Sequence, residues 1–216
     1  MKRILIGIAC NLLWITSARA QTCTGGVSFG TAPIQVGADG VFSSNTHSLV
    51  PEASFGNEQY FGRVGANLSS FSGIDNGAKG IFGAAGAELK VDAANPIAVC
   101  PMVSVGKAWG PSPAPDLNLS SYVVQVGGRV GFVAAKTGQA TIVPTIGLSF
   151  NYVNTTSSSS GLFQGYTSGT SFGNLQFGAG FIFNDRFSLI PSVVVPFHYD
   201  QGETAFSIYF ATRLGS

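Results

Sequence analysis

The chain has 216 residues and a formal net charge of +1; 45% of its residues are hydrophobic and only 10% are charged. Soluble domains carry about 25% charged residues, so an ordinary solvated surface is excluded unless the core is unusually large. There is no basic cluster to neutralise phosphates, which excludes nucleic acid as a partner class.

Residues 1–20 read as an export signal. Lys2 and Arg3 give the positive start, residues 4–15 are apolar apart from Gly7 and Asn11, and Ala18-Arg19-Ala20 is a small-x-small cleavage site. The apolar run is shorter than the ~20 residues a spanning helix needs, and no longer one follows. The mature chain is therefore expected to start at Gln21. Cys10 leaves with the signal. Cys23 and Cys100 remain, an even pair in an exported chain, which predicts one disulfide. Residues 21–33 contain Gly25, Gly26 and Gly30. They are expected to form a flexible periplasmic segment, free to fold under or into whatever the rest of the chain builds.

From residue 34 onward the sequence breaks into ten stretches with a period of two, and each stretch has one nearly pure apolar face. In chain order these faces include Ile34, Val36 and Phe42; Leu49, Ala53 and Phe55; Tyr60, Val64 and Leu68; Ile81, Ala85 and Leu89; Ile97, Val103 and Val105; Tyr122, Val124 and Val126; Ile142, Ile146 and Phe150; Leu175, Phe177 and Phe181; Phe187, Leu189 and Val193; and Phe206, Ile208 and Phe210. The opposite faces are small and polar, mostly Gly, Ser, Thr and Ala. They are too poor in charge to be a solvated surface and suit a narrow lumen, while apolar faces with aromatic ends suit lipid and its two interfaces. Residues 34–216 are thus predicted to form a closed antiparallel transmembrane β-barrel of ten strands, or eight if the first hairpin is left out. Tight connections at 56–59, 92–96, 136–139 and 184–186 are expected to be periplasmic. The longer ones at 72–80, 110–120 and 154–169 are expected to face the exterior, as are the short ones at 45–48 and 200–203.

The signal, the alternating strands, the absence of a spanning helix and the loop asymmetry together resemble the small outer-membrane β-barrel proteins of Gram-negative bacteria. The resemblance covers the whole mature chain. It rests on pattern, and it implies an outer-membrane location with outer-membrane lipid as the first partner. One departure is that Phe210, the last aromatic, lies six residues before the end, where such chains commonly finish on an aromatic.

Seven charges have inward parity: Asp39, Glu52, Arg63, Glu88, Lys90, Arg129 and Arg213. Buried charges persist when paired, and small barrels are filled by their own side chains whereas open aqueous channels need about 16 strands. These residues are therefore expected to form a charge network that plugs the lumen, with a selectivity ring in a small-solute pore as the alternative. His198 and Asp200, with His47 on another rim loop, thinly resemble the rim residues of ten-stranded outer-membrane proteases. His198 also fits a hydrogen-bonded lumen residue, and no second acidic pair faces the first. No catalytic residue, metal-ligand spacing, phosphate-binding glycine loop or nucleotide motif is found, so neither enzyme activity nor a cofactor is expected. Residues 154–160, Asn-Thr-Thr-Ser-Ser-Ser-Ser, read as a flexible exterior loop able to meet an extracellular ligand or cell-surface partner. Nothing in the sequence specifies oligomeric state. The functional expectation is a structural or surface-interaction role.

Overall fold

The computed structural model describes residues 20–29, 33–91, 97–110, 117–159, 166–198 and 203–214. Most of the expected signal segment, the expected periplasmic connection at 92–96 and Asp200 lie outside the described residues. Ten long strands form the body: β1 (Ile34–Phe42), β2 (Thr46–Gly56), β3 (Tyr60–Phe71), β4 (Ile74–Ala87), β5 (Ile97–Trp109), β6 (Leu117–Phe132), β7 (Ala140–Ser159), β8 (Tyr166–Phe183), β9 (Phe187–Phe197) and β10 (Ala205–Leu214). Each pairs antiparallel with the next, and β10 pairs with β1. The ring is closed with ten strands, which decides against the eight-strand alternative and retains the first hairpin.

The strands are staggered as closure requires. Hydrogen-bonded partners followed from Ile34 pass through Phe55, Gly62, Ala85, Val103, Val126, Phe150 and Gly173 to Phe197. That path climbs from the foot of β1 to the top of β9. Val193, four residues below Phe197, faces Phe206, which faces Phe42. The circuit therefore returns to β1 about 12 residues above its start, a shear that gives ten strands a tilt near 40°.

Residue parity follows the sequence. Ile81, Val126 and Phe150 keep 57–59% of their surface exposed on the outer wall, whereas Ser188, Ser192 and Ser207 inside keep 0–4%. Glycine, serine and alanine dominate the inner wall because a ring this narrow has no room for ten large side chains per layer.

Two expected loops are strands. The expected loop at 72–80 shrinks to a turn at Ser72 and Gly73, with φ +79° at Gly73. Ala78, Lys79 and Gly80 pair with Ser69, Leu68 and Asn67, and Lys79 and Gly80 also pair with β5. The Ser-rich segment is likewise ladder. Thr155, Thr156 and Ser157 pair with both β6 and β8, so two neighbours hold a composition that alone reads as loop. Strands β6, β7 and β8 have 16, 20 and 18 residues. At ~3.4 Å per residue and ~40° tilt, β7 climbs roughly 50 Å, about twice the ~25 Å apolar band of such barrels. This wall stands well above the membrane.

Residues 22–29 pack inside the periplasmic half of the ring. The two-residue bridge Ala20–Gln21 to Gly26–Val27 makes a small hairpin. Val27 is 1% exposed in a cluster with Val143 and Ile182, and Cys23 and Phe29 pack with Phe61, Ala98 and Cys100. Gln35 Nε2 donates to the Val27 carbonyl at 2.7 Å.

The outward parity makes a direct prediction. Val126→Arg places a charge near mid-wall in lipid and is expected to destabilise the folded barrel by ~2–4 kcal/mol. Denaturant midpoints in lipid vesicles measure this, and an unchanged midpoint contradicts the assignment.

Candidate functional site in the barrel lumen

The inner wall is organised in layers. At the periplasmic mouth Cys23 and Cys100 form a disulfide across 77 residues, with Cα atoms 5.7 Å apart. Closing a loop of that length stabilises by ~4–5 kcal/mol in the chain-entropy model. Glu88 Oε2 lies 3.7 Å from Cys23 Sγ. The donor atoms of Cys23, Glu88 and Cys100 fall within 4.8 Å of one another, but the bridge takes both sulfurs out of service as metal ligands. Glu88, just past the end of β4, is buried. Burial pushes its carboxyl up to about 7, against the lowering pull of Lys90 and of a backbone hydrogen bond from Thr22.

Two inner-wall glycines make room for the segment. A Cβ on Gly131 would collide with the Thr22 carbonyl, and one on Gly180 with the Gly25 backbone. Gly25 itself has φ +74°, a conformation that favours glycine. The β8–β9 ladder pairs Gly178 with Ser192 and Phe181 with Leu189. The gap between those pairs, beside Pro191, is where Gly25 approaches.

Above this segment lies a charged layer. Glu52, 9% exposed, accepts from Tyr209 Oη at 2.8 Å and pairs with Arg63 at 3.6 Å. Arg129 Nη2 donates to Gln176 Oε1 at 2.6 Å, Gln176 Nε2 donates to Ser192 Oγ at 2.8 Å, and Ser192 shares a 2.8 Å hydroxyl contact with Ser207. Asp39 belongs to the same layer, opposite Tyr209. Its Oδ1 and the Arg63 Nε have no protein hydrogen-bond partner among the described residues. Two cavities of about 210 Å³ flank the layer and share Asp39, Arg63 and Arg129. The lower is floored by Thr24, Gly26 and Phe29, and the upper is ringed by Ser104, Gln125 and Ser149.

Asp39, Glu52, Arg63 and Arg129 thus meet in one layer. Arg213 lies lower, opposite Gln35 at the foot of the wall, and Glu88 sits at the mouth. Lys90 pairs with Ala98 in the register of the β4–β5 ladder, so it keeps its inward parity, but it is exposed in the bridge Leu89–Lys90 at the periplasmic rim, below the charged layer. His198 departs from its inward parity. The chain leaves β9 at Phe197, and His198, with φ +57°, lines an outer-wall groove with Val124 and Phe150. Exposed His47 packs on Phe42 at 5.9 Å. Among the described residues neither imidazole contacts a carboxylate or a serine hydroxyl. Tyr209 and Gln176 are polar members of the layer that charge counting passes over; their inward parity is the signal for them. At the exterior end, hydrogen bonds from Ser44, Ser43 and Asn45 hold the Glu203 carboxyl below its ordinary range and clasp the β9–β10 connection to the β1–β2 turn.

A closed antiparallel ring, apolar outside, small and polar inside, with both ends of the strand path on one side, defines a transmembrane β-barrel of the outer membrane. No protein-family model matches the sequence, and no curated protein matches it. Among solved structures, the chain is similar to the translocator domain of autotransporter NalP from Neisseria meningitidis, with 12% identity and a TM-score of 0.48 over 96% of this chain and 98% of that one. It is also similar to Ail, the attachment invasion locus protein of Yersinia pestis (13% identity, TM-score 0.41, 85% and 99% covered), and to the KdgM porin (9%, 0.39, 84% and 99%). These likenesses concern the barrel fold alone.

Two predictions follow from the periplasmic mouth. The folded pKa of Glu88 lies above its ordinary 4.5. The folded state therefore keeps a proton that the unfolded chain releases, and this contribution is full below pH ~4.5 and lost as pH rises through ~7. Glu88→Gln is expected to remove a fall of ~3 kcal/mol across that window; denaturant midpoints measured against pH check it, and an unaltered slope contradicts it. Gly180→Val is expected to unseat Gly25 and open Phe29 to chymotrypsin, releasing an N-terminal peptide on reduction while the barrel still shifts its gel mobility on boiling. A segment as resistant as wild type contradicts the packing.

Proposed function

We propose that the protein is an outer-membrane barrel with a closed lumen and a structural and surface-interaction role. The observation that carries this reading is the seat of residues 22–29 in the periplasmic half of the lumen, tied down by the Cys23–Cys100 bridge and overlain by the Glu52–Arg63–Arg129 layer. Small inner side chains leave cavities, but the charged layer separates them.

The interaction half of the reading is supported by the wall that β6–β8 raise above the membrane. Its upper part is polar: Ser121 and Thr155 share a 2.8 Å hydroxyl contact, and Ser157 bonds both the nitrogen and the carbonyl of Tyr166. Paired strands hold these inward-facing hydroxyls at fixed spacing around the exterior mouth, which lowers the ordering cost of meeting an extracellular ligand or cell-surface partner there.

A small-solute pore is the second reading, and the two cavities that share Asp39, Arg63 and Arg129 favour it. A rim hydrolase has less support, since His47 and His198 lie on separate aromatic neighbours. Ion conductance of the unreduced protein in a planar bilayer separates plug from pore. Closed-lumen protein is expected to give no steady conductance steps. Regular open-channel steps from unreduced protein support the pore and overturn the plug.

A further inference from the structure

The outer wall carries a second site that the lumen does not explain. Outward residues of β5 are aliphatic through Val103 and Val105, then change to Lys107 and Trp109. On β4 the change is from Ile81 to Lys79, and on β6 from Val124 to Tyr122 and Ser120. The registers put these changes side by side on three neighbouring strands, within ~3 Å of height from one strand to the next at ~40° tilt. Ile81, Lys107 and Tyr122 are partners across three strands, and Lys79, Trp109 and Ser120 are partners one level higher. A lysine facing hydrocarbon is costly, so this height marks the outer edge of the apolar band.

The two lysines are close and supported. They are diagonal neighbours on one face, a relation that sets the two residues roughly 7–8 Å apart. Lys107 Nζ sits 5.3 Å from the Trp109 ring centre and 4.9 Å from that of Tyr122, a cation–π arrangement that holds the ammonium at the interface. Lys79 is exposed and lines a groove of about 480 Å³ with Gly77, Trp109, Asn118, Ser120 and Ser158. The groove is larger than a phosphate alone requires. Its lining combines an indole with amide and hydroxyl groups and one cation, Lys79, while Lys107 lies beside it over the Trp109 ring. A sheet face at this depth is bathed by the outer leaflet, and positive charge there complements phosphate-bearing lipid.

We propose that this groove holds the phosphate-bearing sugar headgroup of an outer-leaflet glycolipid. Lys79 and Lys107 bind the phosphate, Asn118 and Ser120 meet sugar hydroxyls, and Trp109 lies against the sugar face.

The chain has two tryptophans. Trp14 falls in the expected leader, so emission from processed protein reports Trp109. Protein purified from outer membranes into a nonionic detergent is titrated with bis-phosphorylated lipid A, with phosphatidylcholine and with inorganic phosphate. Trp109 emission is followed, and bound lipid is counted by native mass spectrometry. Lipid A is expected to give a saturable shift and a bound stoichiometric lipid; the other two are expected to give neither. Lys79→Gln and Lys107→Gln should each weaken lipid A binding roughly fivefold and together roughly thirtyfold, while Lys90→Gln at the periplasmic rim leaves it unchanged. Retained heat-modifiable migration shows that each variant is folded. A double variant that binds lipid A like wild type overturns the proposal. So does an equal Trp109 response to phosphatidylcholine, or to inorganic phosphate at matched phosphate concentration.

Discussion

No water enters the hydrocarbon core of a bilayer, so every backbone N–H and C=O at that depth must find a partner within the protein. This chain meets that constraint by pairing β10 with β1, which leaves no open edge. Most of its other features follow from that closure. Ten strands with the observed stagger enclose a space that glycine, serine and alanine line and large side chains would overfill. The outer faces meet lipid and are aliphatic, with aromatic residues toward the two ends. Proline is admitted where ladder bonds are absent. The β2–β3 ladder skips from Leu49 to Glu52 around Pro51, and the β8–β9 ladder skips from Leu189 to Ser192 around Pro191.

The same closure makes the lumen electrostatically demanding. Charges inside a narrow ring are partly removed from water and must be held by neighbours. Glu52 has both a phenol and a guanidinium on its carboxylate, and Arg129 rests on a chain of amide and hydroxyl groups reaching Ser207. Below this layer the inner wall turns apolar at Val143, Ile182 and Ile190. The N-terminal segment gives those residues the cover that a water-filled lumen would not. The disulfide then joins the segment to the wall, so burial and covalent closure act on the same eight or so residues.

The wall was largely legible in the sequence. A period of two cannot be satisfied on both faces by chance over ten stretches, and the outward residues from Ile34 to Phe210 all keep their parity. The pairing of Cys23 with Cys100 could be read from cysteine count and export. Other features were not legible for physical reasons. Val143, Ile182 and Ile190 look like breaks in a polar inner face until residues 22–29 are in place. Their clustering near one end of their strands was the available signal. Thr155 to Ser157 have loop-like composition, and only pairing on both sides makes them strand. His198 followed parity on paper, but it lies beyond the end of its strand with a positive φ, where parity no longer governs direction; Lys90 keeps its parity opposite Ala98 but sits at the exposed rim. Tyr209 was hidden among the aromatics of β10, although its position between Ser207 and Ala211 marks it as inward.

Hydrogen–deuterium exchange on unreduced protein folded in lipid tests the central claim most directly, through a peptide covering residues 22–29. If the segment is seated in the lumen, its amides exchange orders of magnitude more slowly than those of a free terminus and approach the rates of the wall strands. Exchange of the whole segment within seconds, while the wall stays protected, would mean that the barrel stands with an open periplasmic mouth and that the account of the closed lumen is wrong.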